Sequence, residues 1–264
     1  MNAPQVPPRP DGLHPVPPPP GIPEETASRK LATWSPWEAL GVYVLAIVLA
    51  GVATIPLVAL VDDEDLASVA ASLVAALVIV GVLVLWLSVA HPTWRGVMGF
   101  PERGARWREI RASIGFGLAL YPSIVLGVGL VVSLLLSLVS GEEVGAPEQV
   151  PSGLPPIGIA LTIVYAFVVA PLHEELFFRG VLFRGVRDRY GLAAGLLASG
   201  IGFGLIHYLD TAWQDAVLLM AVMVFNGIAI AWWYERRGTI LAPFVAHMIF
   251  NVIGLSLIFT VQGV

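Results

Sequence analysis

Residues 157–183 read IGIALTIVYAFVVAPLHEELFFRGVLF, a run with no ionisable side chain except Tyr165 before His173, followed by His173, Glu174, Glu175 and Arg179 within seven positions. A bilayer core about 30 Å thick is crossed by about 20 apolar residues in a helix. The run is continuously apolar rather than alternating, so a helix and not a barrel strand is the spanning form. An ionised group at the middle of such a helix costs about 2.5–3.5 kcal/mol on insertion scales, so these side chains need a partner or a task that offsets the cost.

Six further apolar runs flank this one, at 39–61, 66–90, 112–140, 192–209, 216–234 and 240–262. The 264-residue chain is 57% hydrophobic and 12% charged, with a mean hydropathy of +0.82, and lipid is its expected solvent. The predicted fold is an all-α, polytopic transmembrane helical bundle of seven spans. Eight spans result if the long third run, or Pro171 in the fourth, conceals a break or a re-entrant turn. The connections alternate in sign: Asp62, Asp63, Glu64 and Asp65; Arg95, Arg103, Arg106 and Arg108; Glu142, Glu143 and Glu148; Arg184, Arg187 and Arg189; Asp210 and Asp215; Arg236 and Arg237. By the positive-inside rule the N-terminus is cytoplasmic and, with seven spans, the C-terminus is outside.

Residues 1–36 hold runs such as Pro7-Pro8 and Pro17 to Pro20, with too few apolar side chains to offset the entropy of ordering. They are expected to form a disordered cytoplasmic tail, without the pattern of a secretory signal, ahead of a transmembrane domain over 37–264. A net charge of −5 with no basic stripe excludes a nucleic-acid partner. The absence of cysteine excludes disulfides, thiol nucleophiles and thiolate zinc sites.

The polar groups inside the runs are His173, Glu174, Glu175 and Arg179 in the fourth, His207 in the fifth, and His247 with Asn251 in the seventh. Glu175 and Arg179 are four apart and share a helix face, so the arginine can neutralise that carboxylate. Glu174 points about 100° away and is free of that partner, which suits a general base or acid. Phe203 and His207, and His247 and Asn251, are likewise four apart, so each pair can line one cavity. Counted at about 1.5 Å per residue from a turn near Tyr190 and Gly191, Glu174 and His207 each lie roughly 25 Å away. His247 is about as far from Arg237 as Glu174 is from Arg184. Three segments remote in sequence therefore place a carboxylate and two imidazoles at one depth. The bland alternative, an internal salt bridge that holds the bundle, accounts for Glu175 and Arg179 but not for the whole set. The small residues Gly195, Ser199, Gly200, Gly202 and Gly204 fit close helix approach around such a site.

Other intramembrane protease patterns do not fit. A zinc HExxH helix requires histidine where Phe177 stands, Leu197 precedes Ala198-Ser199-Gly200 where a serine protease motif has glycine, and the aspartates lie at span ends. Glu174-Glu175-x-x-x-Arg179, Phe203-x-x-x-His207 and His247-x-x-x-Asn251, in that order and each in its own apolar run, resemble the CPBP (CAAX protease and bacteriocin-processing) family over about 157–255. Pro171, Phe178-Arg179-Gly180 and Pro243 agree with it, whereas His173 lies outside the pattern. The resemblance implies an intramembrane endopeptidase acting on a membrane-associated peptide or protein. In it, Glu174 activates a water, His207 orients that water or transfers a proton, and His247 and Asn251 stabilise the oxyanion. Glu175, Arg179 and Phe203 support the site. The favoured form needs no cofactor, because an asparagine suits an oxyanion hole better than a zinc shell. If zinc takes part, Glu174, His207 and His247 are its ligands. The rival from another class is a non-catalytic scaffold, immunity factor or transporter that uses the cluster for assembly or proton binding. A bacterial plasma membrane is the expected location. The substrate, among prenylated CAAX proteins, peptide precursors and membrane-anchored regulators, is left open.

Overall fold

A computed structural model describes residues 30–145, 150–151, 153–208 and 211–262. Helix α1, Pro36–Leu60, starts at a capping box: Ser35 accepts from the Glu38 backbone N–H, the Glu38 carboxylate accepts from the Ser35 N–H, and Pro36 occupies the first turn. A turn at 61–63 leads to α2, Glu64–Ala90, where the Asp63 side chain caps Leu66 and Glu64 and Asp65 complement the helix N-terminus. Short α3, Trp94–Met98, precedes α4, Arg106–Ser140, and α5, Pro156–Tyr190, each 35 residues long. Helix α6 is Leu192–Leu205, α7 is Trp213–Arg237 and α8 is Leu241–Gln262.

Among the described residues there is no strand, and six helices are long and apolar enough to cross a membrane: α1, α2, α4, α5, α7 and α8. Large apolar side chains cover their outer faces, as with Leu60 and Leu138, each 81% exposed. Exposed leucine on this scale is tolerated only where lipid is the solvent, and the chain is an integral membrane protein.

Three features refine the expected spans and tail. The fifth run was expected to be helical to 209, but α6 stops after 14 residues, about 21 Å, which is short of a full crossing. Its end tightens into i→i+3 bonds, His207 N–H to Gly204 and Tyr208 N–H to Leu205, after a stretch whose glycines weaken the helix. Even so, α6 links opposite ends of the bundle. Its start follows Arg187, which pairs with Glu235 near the end of α7, and its exit leads to Gln214 at the start of α7, bonded to Glu142 beyond α4. Secondly, the third and fourth runs contain no break or re-entrant turn; each is one continuous helix. The chain widens into π-helical turns instead, at Ser123–Gly129 just after Pro122, and at Tyr165–Val169 and Glu175–Phe183 on either side of Pro171. A π turn absorbs the missing proline N–H without ending the helix.

Thirdly, the residues just before α1 are docked. Trp34 is fully buried and donates to the Val181 carbonyl, the Ala32 N–H donates to Asp188, and Arg184 and Arg189 donate to the carbonyls of Lys30 and Trp34. Composition had assigned this segment to the Pro-rich tail; the rest of that expectation, residues 1–29, lies outside the described residues.

Candidate functional site

The site is built on the π-helical part of α5, opposite α8. Glu174 and Glu175 end one register and begin the wider one, and His247 of α8 packs against both carboxylates. Its Nδ1 lies 2.7 Å from Glu175 Oε1, and its Nε2 lies 3.5 Å from Glu174 Oε2, an ion-pair distance rather than a hydrogen bond. Glu175 Oε1 also accepts from Arg179 at 2.9 Å, and the other arm of Arg179 donates to the Gly227 carbonyl of α7 at 3.2 Å. Glu175 and Arg179 are 1% and 0% exposed, so the pair expected from the i,i+4 spacing exists. It does more than neutralise charge. An ionised carboxylate only accepts, so Nδ1 of His247 is the protonated nitrogen and Nε2 is turned to Glu174.

Phe203 of α6 sits among these groups. Its ring is 5.6 Å from His247 and 4.6 Å from His207, with the Arg179 guanidinium carbon 4.6 Å above it. His207 lies in the turn beyond α6 rather than within a span, and Nδ1 donates to the Phe203 carbonyl at 2.7 Å. In the neutral ring that leaves Nε2 as a proton acceptor. His207 is thus one aromatic ring away from the pair of Glu174 and His247.

Asn251 is tied to α5. Its amide donates to the Ala166 carbonyl at 2.9 Å. In the π turn the Ala170 N–H reaches Tyr165, so the donor next in register for Ala166 is residue 171, a proline with no N–H. Asn251 fills the vacancy that Pro171 creates, and keeps one amide hydrogen for another acceptor. Ser199 is fully buried and donates to the Phe178 carbonyl, which occupies the hydroxyl that a serine mechanism would use.

Three residues near the site escaped the motif spacing. Tyr43 of α1 lies with its hydroxyl 3.2 Å from His173 Nε2, and its ring is stacked on Phe177 at 3.5 Å. Tyr165 and Tyr43 both lie within electrostatic reach of Glu174. Asn226 is fully buried beside Gly227 with both amide atoms unpaired among the described residues. No i,i+4 rule links α1 or α7 to α5, and an isolated tyrosine or asparagine in a span carries no signal of its own. Unpaired buried atoms also include His173 Nδ1, Glu175 Oε2 and Arg179 Nε, so unmet polar groups gather around the two glutamates.

A zinc site would need three ligands around one point. Glu174 and His247 are adjacent, but among the described residues no three His, Asp or Glu side chains converge to hold a metal ion. The set Glu174, His207 and His247 therefore does not fit zinc as the side chains stand.

Comparison with known proteins falls on this same stretch. A family model described as type II CAAX prenyl endopeptidase Rce1-like matches residues 156–253. The chain is 30% identical over 99 residues to an Escherichia coli protein named "Uncharacterized 24.3 kDa protein", which covers 37% of this chain and 44% of that one. It is 29% identical over 93 residues to the Bacillus subtilis (strain 168) protein named "Putative membrane peptidase YdiL", covering 35% of each. The chain spans less than half the length of either relative. No solved structure matches. The resemblance carried by the three motifs and the family match agree in the segment that holds Glu174, Glu175, Arg179, Phe203, His207, His247 and Asn251, while Tyr43 lies outside it.

Proposed function

We propose that the chain is an intramembrane endopeptidase of the CPBP type that hydrolyses a membrane-associated peptide or protein with a water activated by Glu174. The observation that carries the proposal is the seating of His247 between Glu174 and Glu175 in a water-poor bundle, which has no purpose in a bridge that only neutralises charge. Glu174 takes a proton from the water as its oxygen bonds to the peptide carbonyl carbon. The carbonyl oxygen becomes an oxyanion held by fixed donors, among them Nε2 of a doubly protonated His247 and the spare amide hydrogen of Asn251. The proton then passes from Glu174 to the leaving nitrogen as the C–N bond breaks, with Nε2 of His207 as an intermediate acceptor.

The chemistry needs no metal in this reading, and Glu175, Arg179 and Phe203 hold His247 and α5 in place. The family description and the bacterial relatives support a prenylated or otherwise membrane-anchored substrate and a bacterial plasma membrane. The arginine-rich connections support a cytoplasmic N-terminal side and a C-terminus outside. The test is a comparison of new protein N-termini in membranes that carry the wild type or Glu174→Gln at equal level, with zinc measured on the purified proteins. The proposal predicts a set of termini that vanishes with Glu174→Gln and no stoichiometric zinc. Identical termini would overturn it, and a bound zinc lost on His247→Ala would overturn the metal-free form.

A further inference from the structure

His173 is the group that the mechanism above leaves unused. It stands directly before Glu174 and is 7% exposed. Its ring lies within electrostatic reach of Glu174, His207 and His247. Helix α1 holds it: Tyr43 stacks on Phe177 at 3.5 Å and runs nearly parallel to the His173 ring at 14°, with its hydroxyl 3.2 Å from Nε2.

The tautomer is assigned from this hydrogen bond. The buried Tyr43 hydroxyl has His173 Nε2 as its hydrogen-bond partner among the described residues. A buried phenol donates where an acceptor exists, so the hydroxyl gives its hydrogen to Nε2, and a neutral imidazole then carries its own hydrogen on Nδ1. That Nδ1 is buried and has no partner among the described residues. An N–H left unpaired in a low-dielectric interior is costly, and the cost is met when a carbonyl oxygen arrives.

We propose that the His173 Nδ1–H, oriented by Tyr43, is a substrate-facing donor that binds a carbonyl oxygen of the peptide beside Glu174. This rests on the peptidase reading and adds to it a donor that α1 and α5 supply together. The donor adds to those of His247 and Asn251, the latter having one of its two amide hydrogens engaged with Ala166. Tyr43 is a positioning residue: it acts through the ring it orients.

Two readouts on the full chain, the first in lipid nanodiscs and the second in cell membranes, separate this proposal from the reading beneath it. The first is the ¹⁵N NMR signature of the His173 ring, assigned by its loss in His173→Phe. The expected result is the Nδ1–H tautomer in the wild type and a mixture of tautomers in Tyr43→Phe; an Nε2–H ring in the wild type overturns the proposal whatever the activity. The second is the yield of Glu174-dependent N-termini from the membrane proteome, with thermal stability measured alongside. His173→Phe is expected to lower that yield at least tenfold, while His173→Gln, which keeps an N–H donor, and Tyr43→Phe fall in between. A folded His173→Phe that cleaves at the wild-type rate overturns the proposal. If that variant does not fold, wild-type yield from Tyr43→Phe with a lost tautomer preference overturns it instead. If no terminus depends on Glu174, the peptidase reading has failed and the inference falls with it, even where the tautomer is as expected.

Discussion

His247 shows how much a single side chain in this protein depends on its neighbours. Glu175 fixes its Nδ1, Phe203 packs its edge and Glu174 faces its Nε2, so the imidazole has one orientation. Replacing Glu175 with methionine leaves Arg179 charged and buried, and the expected loss is about 3–5 kcal/mol, read as a fall in the denaturation midpoint. Replacing both, Glu175→Met with Arg179→Met, is expected to recover most of that stability without recovering cleavage, since His247 stays unanchored. A double variant that cleaves like the wild type would show that the pair only holds the helix. The Glu175–Arg179 pairing was legible from a spacing of four, because contacts along one helix follow its periodicity. The contact of Glu175 with His247 was not, because 72 residues separate them and no local rule spans that distance.

The helices that present these residues are shaped by departures from regularity. The π turns of α5 keep Pro171 inside one continuous helix and free the Ala166 carbonyl for Asn251, so the same proline that suggested a break creates the tie between α5 and α8. Asn251→Leu is therefore expected to lower both stability and cleavage, stability by about 1–3 kcal/mol through the unpaired carbonyl. Intact thermal stability in that variant would contradict the tie. Helix α6 is short but closely packed: a Cβ on Gly200 would lie 2.9 Å from the Val224 carbonyl, and one on Gly204 2.8 Å from the Met220 carbonyl. Backbone cannot swing aside as a side chain can, so Gly200→Ala and Gly204→Ala are each expected to cost about 1–3 kcal/mol and to displace Phe203. Gly81, with open space around it inside α2, is the control, and Gly81→Ala is expected not to lower the melting temperature. The small-residue content of this run was visible in the sequence. Which glycines matter was not, since that depends on where α7 lies.

Across the bundle, hydropathy and charge were enough to read an all-α membrane protein, because both follow from the solvent rather than from contacts. The early end of α6 and the docking of residues 30–35 were not readable, since glycine content and tertiary bonds set them. With no cysteine in the chain, single introduced cysteines report the sidedness cleanly. Arg103→Cys is expected to react with a membrane-impermeant maleimide only after the cells are opened, and Glu143→Cys before. The reverse pattern would invert the arginine-based orientation. The central claim is that α5, α6 and α8 converge so that Glu174 can activate a water. Its most direct measurement is hydrolysis, in ¹⁸O-labelled water and after chelation, of a Glu174-dependent substrate peptide by the purified chain in vesicles. The account predicts one labelled oxygen in the new carboxyl group for the wild type, and no product from an equally folded Glu174→Gln. Cleavage by Glu174→Gln at the wild-type rate would contradict it.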